Sequence, residues 1–477
     1  MSTRTRRDFL ATAAAGVVAT RAGLAAPRSA ADGAPAPAGA IALRVTSGDQ
    51  RYAAAPPLSW RPAAGAAAPE AIVLEPGKSL QPVLGFGAAF TDAACCVLSE
   101  MPDAGREALL RELFDPGEMA FSVCRTCIGS SDYARSVYSY DEGEPDPTLA
   151  RFSIEHDRAS ILPIIRRARA LHPKLFLLAS PWSPPGWMKD NNSMLGGTIR
   201  GRYLDAYAQY FVKFLQAYKD EGVFVDAVSS QNEVDTDQDS RMPACLFPQE
   251  VEVKFVAQSL GPALEQAGVG TKIWLIDHNY NLWGRAIAEL DDPTVRKYAG
   301  AVAWHGYVGK PEWMQKVAAA HPDVEMHWTE GGPDYTDAAY LTDWTKWSRT
   351  FTGVLRNGAR CIIGWNLALD ENGKPNVGPF SCGGVVTVHS HTKEVTRSGQ
   401  YWAFAHYSRA IRRDAVVIPS HGGPESVDHV AARNADGGYA LVLTNTAAAA
   451  RSVPLRLGAR AADVSLPADS VSTLTWS

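Results

Sequence analysis

Between residues 81 and 412 the chain alternates two hydrophobic patterns. Short, nearly continuous apolar runs recur at 83–90, 121–129, 174–181, 224–232, 272–277, 300–305, 324–329 and 360–365. Continuous rather than alternating hydrophobicity marks a strand buried on both faces. Between these runs, apolar positions fall at helical spacing. The clearest case is "YLDAYAQYFVKFLQAYKDEG" (203–222), where Leu204, Tyr207, Phe211, Phe214, Leu215 and Tyr218 make one stripe before Gly222 stops it. "GREALLREL" (105–113), "ASILPIIRRARAL" (159–171), "VEVKFVAQSLGPALEQAG" (251–268) and "LTDWTKWSRTFTGVL" (341–355) fill equivalent slots. Eight strands alternating with helices predict an α/β fold, a (β/α)8 TIM barrel over 81–412. The competing doubly wound sheet would carry a nucleotide loop, and "GFGAAF" (85–90) lacks the third glycine of that motif.

Past residue 412 the helical period disappears. "VDHVAARN", "GYALVLTNT", "RSVPLRLGA" and "VSTLTW" are short alternating strands separated by turn residues, which predicts an all-β sandwich over 413–477. Residues 40–80 are expected to complete it. There "AIALRVTSGD" and "EAIVLEP" read as strands on either side of a Pro/Ala-rich stretch. Ahead of them, 27–39 ("PRSAADGAPAPAG") has the composition of a linker. Residues 1–26 pair Arg6-Arg7 with Phe9-Leu10, a weakly apolar run and small residues near Ala26, the order of a twin-arginine-type export signal. The expected location is therefore outside the bacterial cytoplasm, periplasmic or extracellular. That apolar run is shorter than the roughly 20 residues of a spanning helix, and no other segment approaches that length, so no stable membrane insertion is expected.

Composition narrows the function classes. With 20% charged residues and a formal charge of −5, acids and bases are mixed along the chain. There is no basic stripe for nucleic acid and no polybasic tail for a lipid surface. Seven cysteines include one C-x-x-C (Cys124, Cys127) inside a strand-like run. Without a second pair they read as buried free thiols and not as a zinc site. No H-E-x-x-H and no G-x-S-x-G occurs, so a metallohydrolase and an α/β-hydrolase are both poor fits. Neither a cofactor nor a metal is expected.

In a TIM barrel the chemistry collects where strands end. Strand two runs into Ser131-Asp132-Tyr133, strand three into "SPWSPPGW" with Trp182 and Trp187, and strand four into Asn232-Glu233. Strand five runs into Asp277-His278-Asn279, strand six into His305 and Tyr307, strand seven into Glu330 and strand eight into Trp365-Asn366. Aromatic faces that stack on sugar rings, amides and hydroxyls that bind their hydroxyl groups, and a pair of carboxylates together suggest a carbohydrate substrate. Retaining glycosidases place two such carboxyl groups about 5–5.5 Å apart. Asp132 reads equally well as a turn former, and His305 as a satisfied structural histidine. A sugar-binding protein without catalysis is the alternative from another class.

Several longer stretches sharpen this. "LGFGAAFTDAA" (84–94), "LLASPWSPPGWMKDN" (177–191), "AVSSQNEVD" (227–235), "IGWNLALDENGKPN" (363–376) and "GQYWAFAHYSR" (399–409) resemble glycoside hydrolase family 30, the group of glucosylceramidases and microbial β-1,6-glucanases. The resemblance implies a retaining β-glycosidase acting on β-D-glucosidic bonds, glucosylceramidase-like, with an endo-β-1,6-glucanase as the alternative. By position it implies Glu233 as acid/base and Glu330 as nucleophile. Asp132, Trp182 and Asn232 would hold sugar hydroxyls, Tyr307 would lie beside the nucleophile, and Trp365 would form the sugar platform. An ionised Glu330 is expected to raise the proton affinity of Glu233. Glucosylceramidases carry a Trp where this chain has Gly306, and an Asn late in the loop after W-N-L-A-L where this chain has "VGPFSCGG"; both departures lie in the substrate rim and bear on the aglycone and on the exact sugar.

Overall fold

A strand with two apolar faces can hide both when the sheet closes on itself and helices cover the outside. The computed structural model describes residues 39–477; the expected signal and residues 27–38 of the linker lie outside them. Eight parallel strands close into a barrel. They are β1 Gly85–Phe90, β2 Val123–Cys127, β3 Phe176–Ser180, β4 Ala227–Ser229, β5 Lys272–Asn279, β6 Ala299–His305, β7 Glu325–Glu330 and β8 Ala359–Asn366. Each overlaps one of the predicted runs. Closure is made by β8 against β1, with Cys361 opposite Gly85.

The helix Leu204–Asp220 buries the whole predicted stripe. The helix expected at 251–268 is instead interrupted. Gln249–Lys254 and Gly261–Ala267 are α-helical, and Phe255–Leu260 between them is a π-helical turn. Pro262 has no N–H to give to the preceding turn, which widens there.

The sandwich draws on both flanks of the barrel. One sheet runs in the order Val416–Ile418, Val427–Arg433, Tyr439–Asn445, Ser470–Trp476, Ala40–Ser47, Gln50–Ser59. The other runs Ser420–Gly422, Ile72–Leu74, Arg451–Leu457, Arg460–Leu466, Arg61–Pro62. Ile41, Leu43, Ile72, Leu443, Leu455, Val464 and Leu474 share the core between them. The stretch read only as Pro/Ala-rich contains the strand Gln50–Ser59. It lies at the sheet edge, where Pro56 and Pro57 are exposed and their missing donors break no ladder. The helix Gly399–Ser408 joins barrel to sandwich, with His406 between Thr473 and Thr46 at 2.8 Å from each.

Candidate active site

Three barrel strands carry one extra residue at the same rim. In β5 the register against β6 passes from Ile276 to His278, skipping Asp277. In β7 it skips Thr329, and in β8 it skips Trp365. Such bulges re-aim side chains at barrel rims. Ile276 (φ 72°) and Asp277 (φ 44°) are left-handed, as is Glu233 (φ 54°) at the end of β4. Non-glycine residues in this region cost about 1–3 kcal/mol each and persist where the surroundings hold them. The surroundings do so here: the Glu233 N–H donates to the carbonyl of Asp277 at 3.0 Å, and the Thr329 hydroxyl donates to Asp277 Oδ1 at 2.7 Å.

Beneath the rim sits Arg125, fully buried in the middle of β2. Its guanidinium donates to Asp277 Oδ2 (2.7 Å), Asn232 Oδ1 (2.6 Å), Ser180 Oγ (3.0 Å) and Glu330 Oε2. It also lies 4.6 Å from the ring centre of Trp182. Burial disfavours the cation, but the charges of Asp277 and Glu330 outweigh that and raise its proton affinity further. For Asp277, burial is likewise outweighed by Arg125, His305 and the Ser229 hydroxyl, so its carboxyl stays far below the usual range. Nothing in the strand pattern singled out Arg125. An arginine in the middle of an apolar strand is nonetheless a signal, because a buried charge needs partners.

Glu233 is held from three directions. His278 Nε2 and His305 Nδ1 each lie 3.4 Å from Oε1, and the Gln238 amide donates to Oε2 at 2.7 Å. Burial raises the proton affinity of this carboxyl, but the hydrogen bonds and charges of the two histidines more than cancel it. Glu233 is left well below the ordinary carboxylate range. The direction is opposite to that expected from Glu330 alone, because the sequence placed no cation beside Glu233. Asp132 goes the other way. Burial, and then the charges of Glu330 and Glu233, push its proton affinity well above the ordinary value.

These groups surround a cavity of about 410 Å³ lined by Asp132, Trp182, Asn232, Glu233, Thr236, Gln238, Met242, His278, Asn279, Tyr307, Glu330, Trp365, Phe380 and Cys382. Of the eight residues expected from sequence, only His305 is not on the wall. It lies behind it, fully buried, with Nε2 3.1 Å from Asp277 Oδ1. Trp182 and Trp365 stack 5.0 Å apart at 21°. The Tyr307 hydroxyl donates to Glu330 Oε1 at 3.0 Å. Asp132 Oδ1 is buried without a protein partner, free for a ligand hydroxyl. At Gly306 a Cβ would come within 2.8 Å of the Trp328 ring, so a larger side chain there requires that indole to shift. All seven cysteines are free, and Cys124 and Cys127 are buried in β2.

One ligand atom from each of Glu233, Glu330 and His305 falls within 4.8 Å of the others. Among the described residues this is the set nearest to a metal cluster, yet each of the three already engages protein donors or carboxylates. The arrangement is therefore two carboxylates, each held by its own partners, facing one cavity. Such a pair can attack and protonate opposite sides of one bond.

Comparison with known proteins agrees with this geometry. The profile of the glycosyl hydrolase family 30 TIM-barrel domain matches residues 83–411, and that of the family 30 beta sandwich domain matches 414–474. An endo-1,6-beta-D-glucanase of Neurospora crassa is 35% identical over 387 residues, 77% of this chain and 79% of that protein. A putative glucosylceramidase of Caenorhabditis elegans is 29% identical over 396 residues, 78% of this chain and 76% of that protein. The solved structure of an endo-β-1,6-glucanase superposes with a TM-score of 0.84 at 29% identity, covering 92% of this chain and all of that one. The chain belongs to glycosyl hydrolase family 30 and is a glycoside hydrolase.

Proposed function

We propose that the enzyme cleaves β-D-glucosidic bonds with retention of configuration, Glu330 being the nucleophile and Glu233 the acid/base. The observation that carries this is the approach of the two carboxylates to within 4.8 Å. So close an approach of one oxygen from each suits direct attack by one of them, and lies on the side of the short separation of retaining enzymes, not the roughly 6.5–9.5 Å of inverting ones. Glu330 Oε attacks the anomeric carbon as the C–O bond to the leaving group breaks, and the proton from Glu233 follows the departing oxygen. Water then enters, Glu233 takes its proton, and the glycosyl ester opens. Tyr307 and Arg125 hold Glu330 from two sides, which fixes its lone pair towards the cavity. Asp132, whose Oδ1 has no protein partner, hydrogen-bonds a sugar hydroxyl, and the Trp182–Trp365 stack carries the ring. Proton transfer of this kind contributes about 10²–10⁴-fold.

Two substrates fit this chemistry, a glucosylceramide-like glucoside and a β-1,6-glucan. The glucan is favoured by the higher identity to the Neurospora endo-1,6-glucanase. A fluorinated, mechanism-based β-glucoside is expected to label Glu330, found by mass spectrometry of the digested protein. Label on another residue overturns the assignment. Glu233→Gln is expected to lose most activity on aryl glucosides with poor leaving groups; equal loss across leaving groups removes Glu233 from the acid role. Pustulan and glucosylceramide offered side by side decide the substrate.

A further inference from the structure

Asp235 and His278 are left unexplained by the two-glutamate mechanism, yet they form a chain that ends on Glu233. His278 is buried, its side chain 8% exposed. It reaches the cavity only because the bulge at Asp277 turns two consecutive residues of β5 towards the axis. Its Nε2 faces Glu233 Oε1 at 3.4 Å, and its Nδ1 meets the carboxylate of Asp235, two residues beyond Glu233 in sequence. Each nitrogen therefore has a carboxylate oxygen within ion-pairing distance, a placement that favours the imidazolium form. Gln238 occupies Glu233 Oε2 from a left-handed turn, Gln238–Ser240, with φ of 52°, 51° and 57°.

We infer that the Asp235–His278 pair is the positioning device of the acid/base: it holds Glu233 through Oε1 while Gln238 holds Oε2, and its charge sets the pH range over which Glu233 carries a proton. This rests on the acid/base reading of Glu233. The other charged or titratable groups facing that carboxyl are His305 from β6 and Tyr307 after it, Asp277 from β5, Glu330 from β7, and Arg125 and Asp132 from β2 and the loop after it. Arg285 lies near enough to Asp235 to act on it. Among these, His305 is shared with Asp277, and Arg125 is shared among Asp277, Glu330 and Asn232. Among the described residues, the ion pairs of His278 are with Glu233 and Asp235. Burial alone lowers its proton affinity, but those two carboxylates push it up to about 10. A cation this close lowers the proton affinity of Glu233, and so moves acid catalysis towards low pH.

The test is the basic limb of kcat/KM against pH, measured on an aryl β-glucoside with a poor leaving group. His278→Gln keeps an amide donor near Oε1 without the charge, and is expected to move that limb up by about one unit or more. His278→Ala removes the anchor as well, so its kcat falls further than that of His278→Gln. Asp235→Asn, at a position 36% exposed and so tolerant of change, loosens the ring that anchors Glu233 and removes one charge from the chain, and is expected to move the limb by less than His278→Gln does. A limb that stays in place in both His278→Gln and Asp235→Asn overturns the inference, and Asp235→Asn decides alone if His278→Gln does not fold. Azide rescue of Glu233→Ala separates the two levels. Failure of rescue rejects the acid/base reading itself, whereas rescue with an unmoved limb rejects only the role of the pair.

Discussion

At the scale of single residues, the site is organised around a cation that the sequence pattern does not announce. Arg125 touches Asp277, Asn232, Ser180 and Glu330 at once, so removing it leaves two buried carboxylates without their counter-charge. Breaking one side of a buried ion pair typically costs about 3–5 kcal/mol. Arg125→Met is expected to lose stability of that order in urea unfolding, together with nearly all activity. Arg125→Lys keeps the charge but not the planar fork, and is expected to recover only part of the stability. Asn232 and Glu233 were legible because a buried strand that ends in polar residues has few other reasons to do so. Arg125 was not, because hydrophobic periodicity treats one charge inside an apolar run as noise. Asp277 and His278 were legible as a strand end, but not as partners of two different groups. Alternation sends neighbours to opposite faces, and only the bulge brings both inward.

Elements came through better than their irregularities. All eight barrel strands lie within or across the expected runs, since burial on both faces leaves a dense apolar signature. The bulges, the π-helical turn and the edge strand Gln50–Ser59 did not show, as each departs from the periodicity on which the reading relies. Gly306 illustrates the cost of such departures. It follows β6 directly, and a Cβ there would come within 2.8 Å of the indole of Trp328 from β7. Gly306→Trp, which installs the residue glucosylceramidases carry here, is expected to destabilise the fold by about 1–3 kcal/mol through overpacking. Adding Trp328→Ala in the same chain is expected to return part of that loss. A double-mutant cycle by chemical denaturation reads the coupling, and simple additivity would mean that the two positions do not compete for space.

For the whole molecule, the junction between barrel and sandwich, with the sandwich beside it, is one place where acid acts. Burial, with Arg409 nearby, holds His406 down to about 3, and burial with Arg356 holds His429 in the sandwich down to about 4. Both are depressed relative to the unfolded chain, which binds their protons from about pH 6.5 downward. The stability linked to them is therefore complete above that pH and is lost as pH falls through 4 and then 3. Thermal unfolding is expected to show Tm falling progressively below pH 6.5, and His406→Gln is expected to flatten part of that fall. The same junction also sets an order of assembly. Strand Ala40–Ser47 is sealed by Ser470–Trp476, and the Ser47 hydroxyl donates to the carbonyl of Ala468, 421 residues away. A ribosome must therefore deliver the entire barrel before that strand gains its second neighbour. Until then one of the earliest-made segments waits with an open edge, which makes it the place where a holding chaperone has the most to protect.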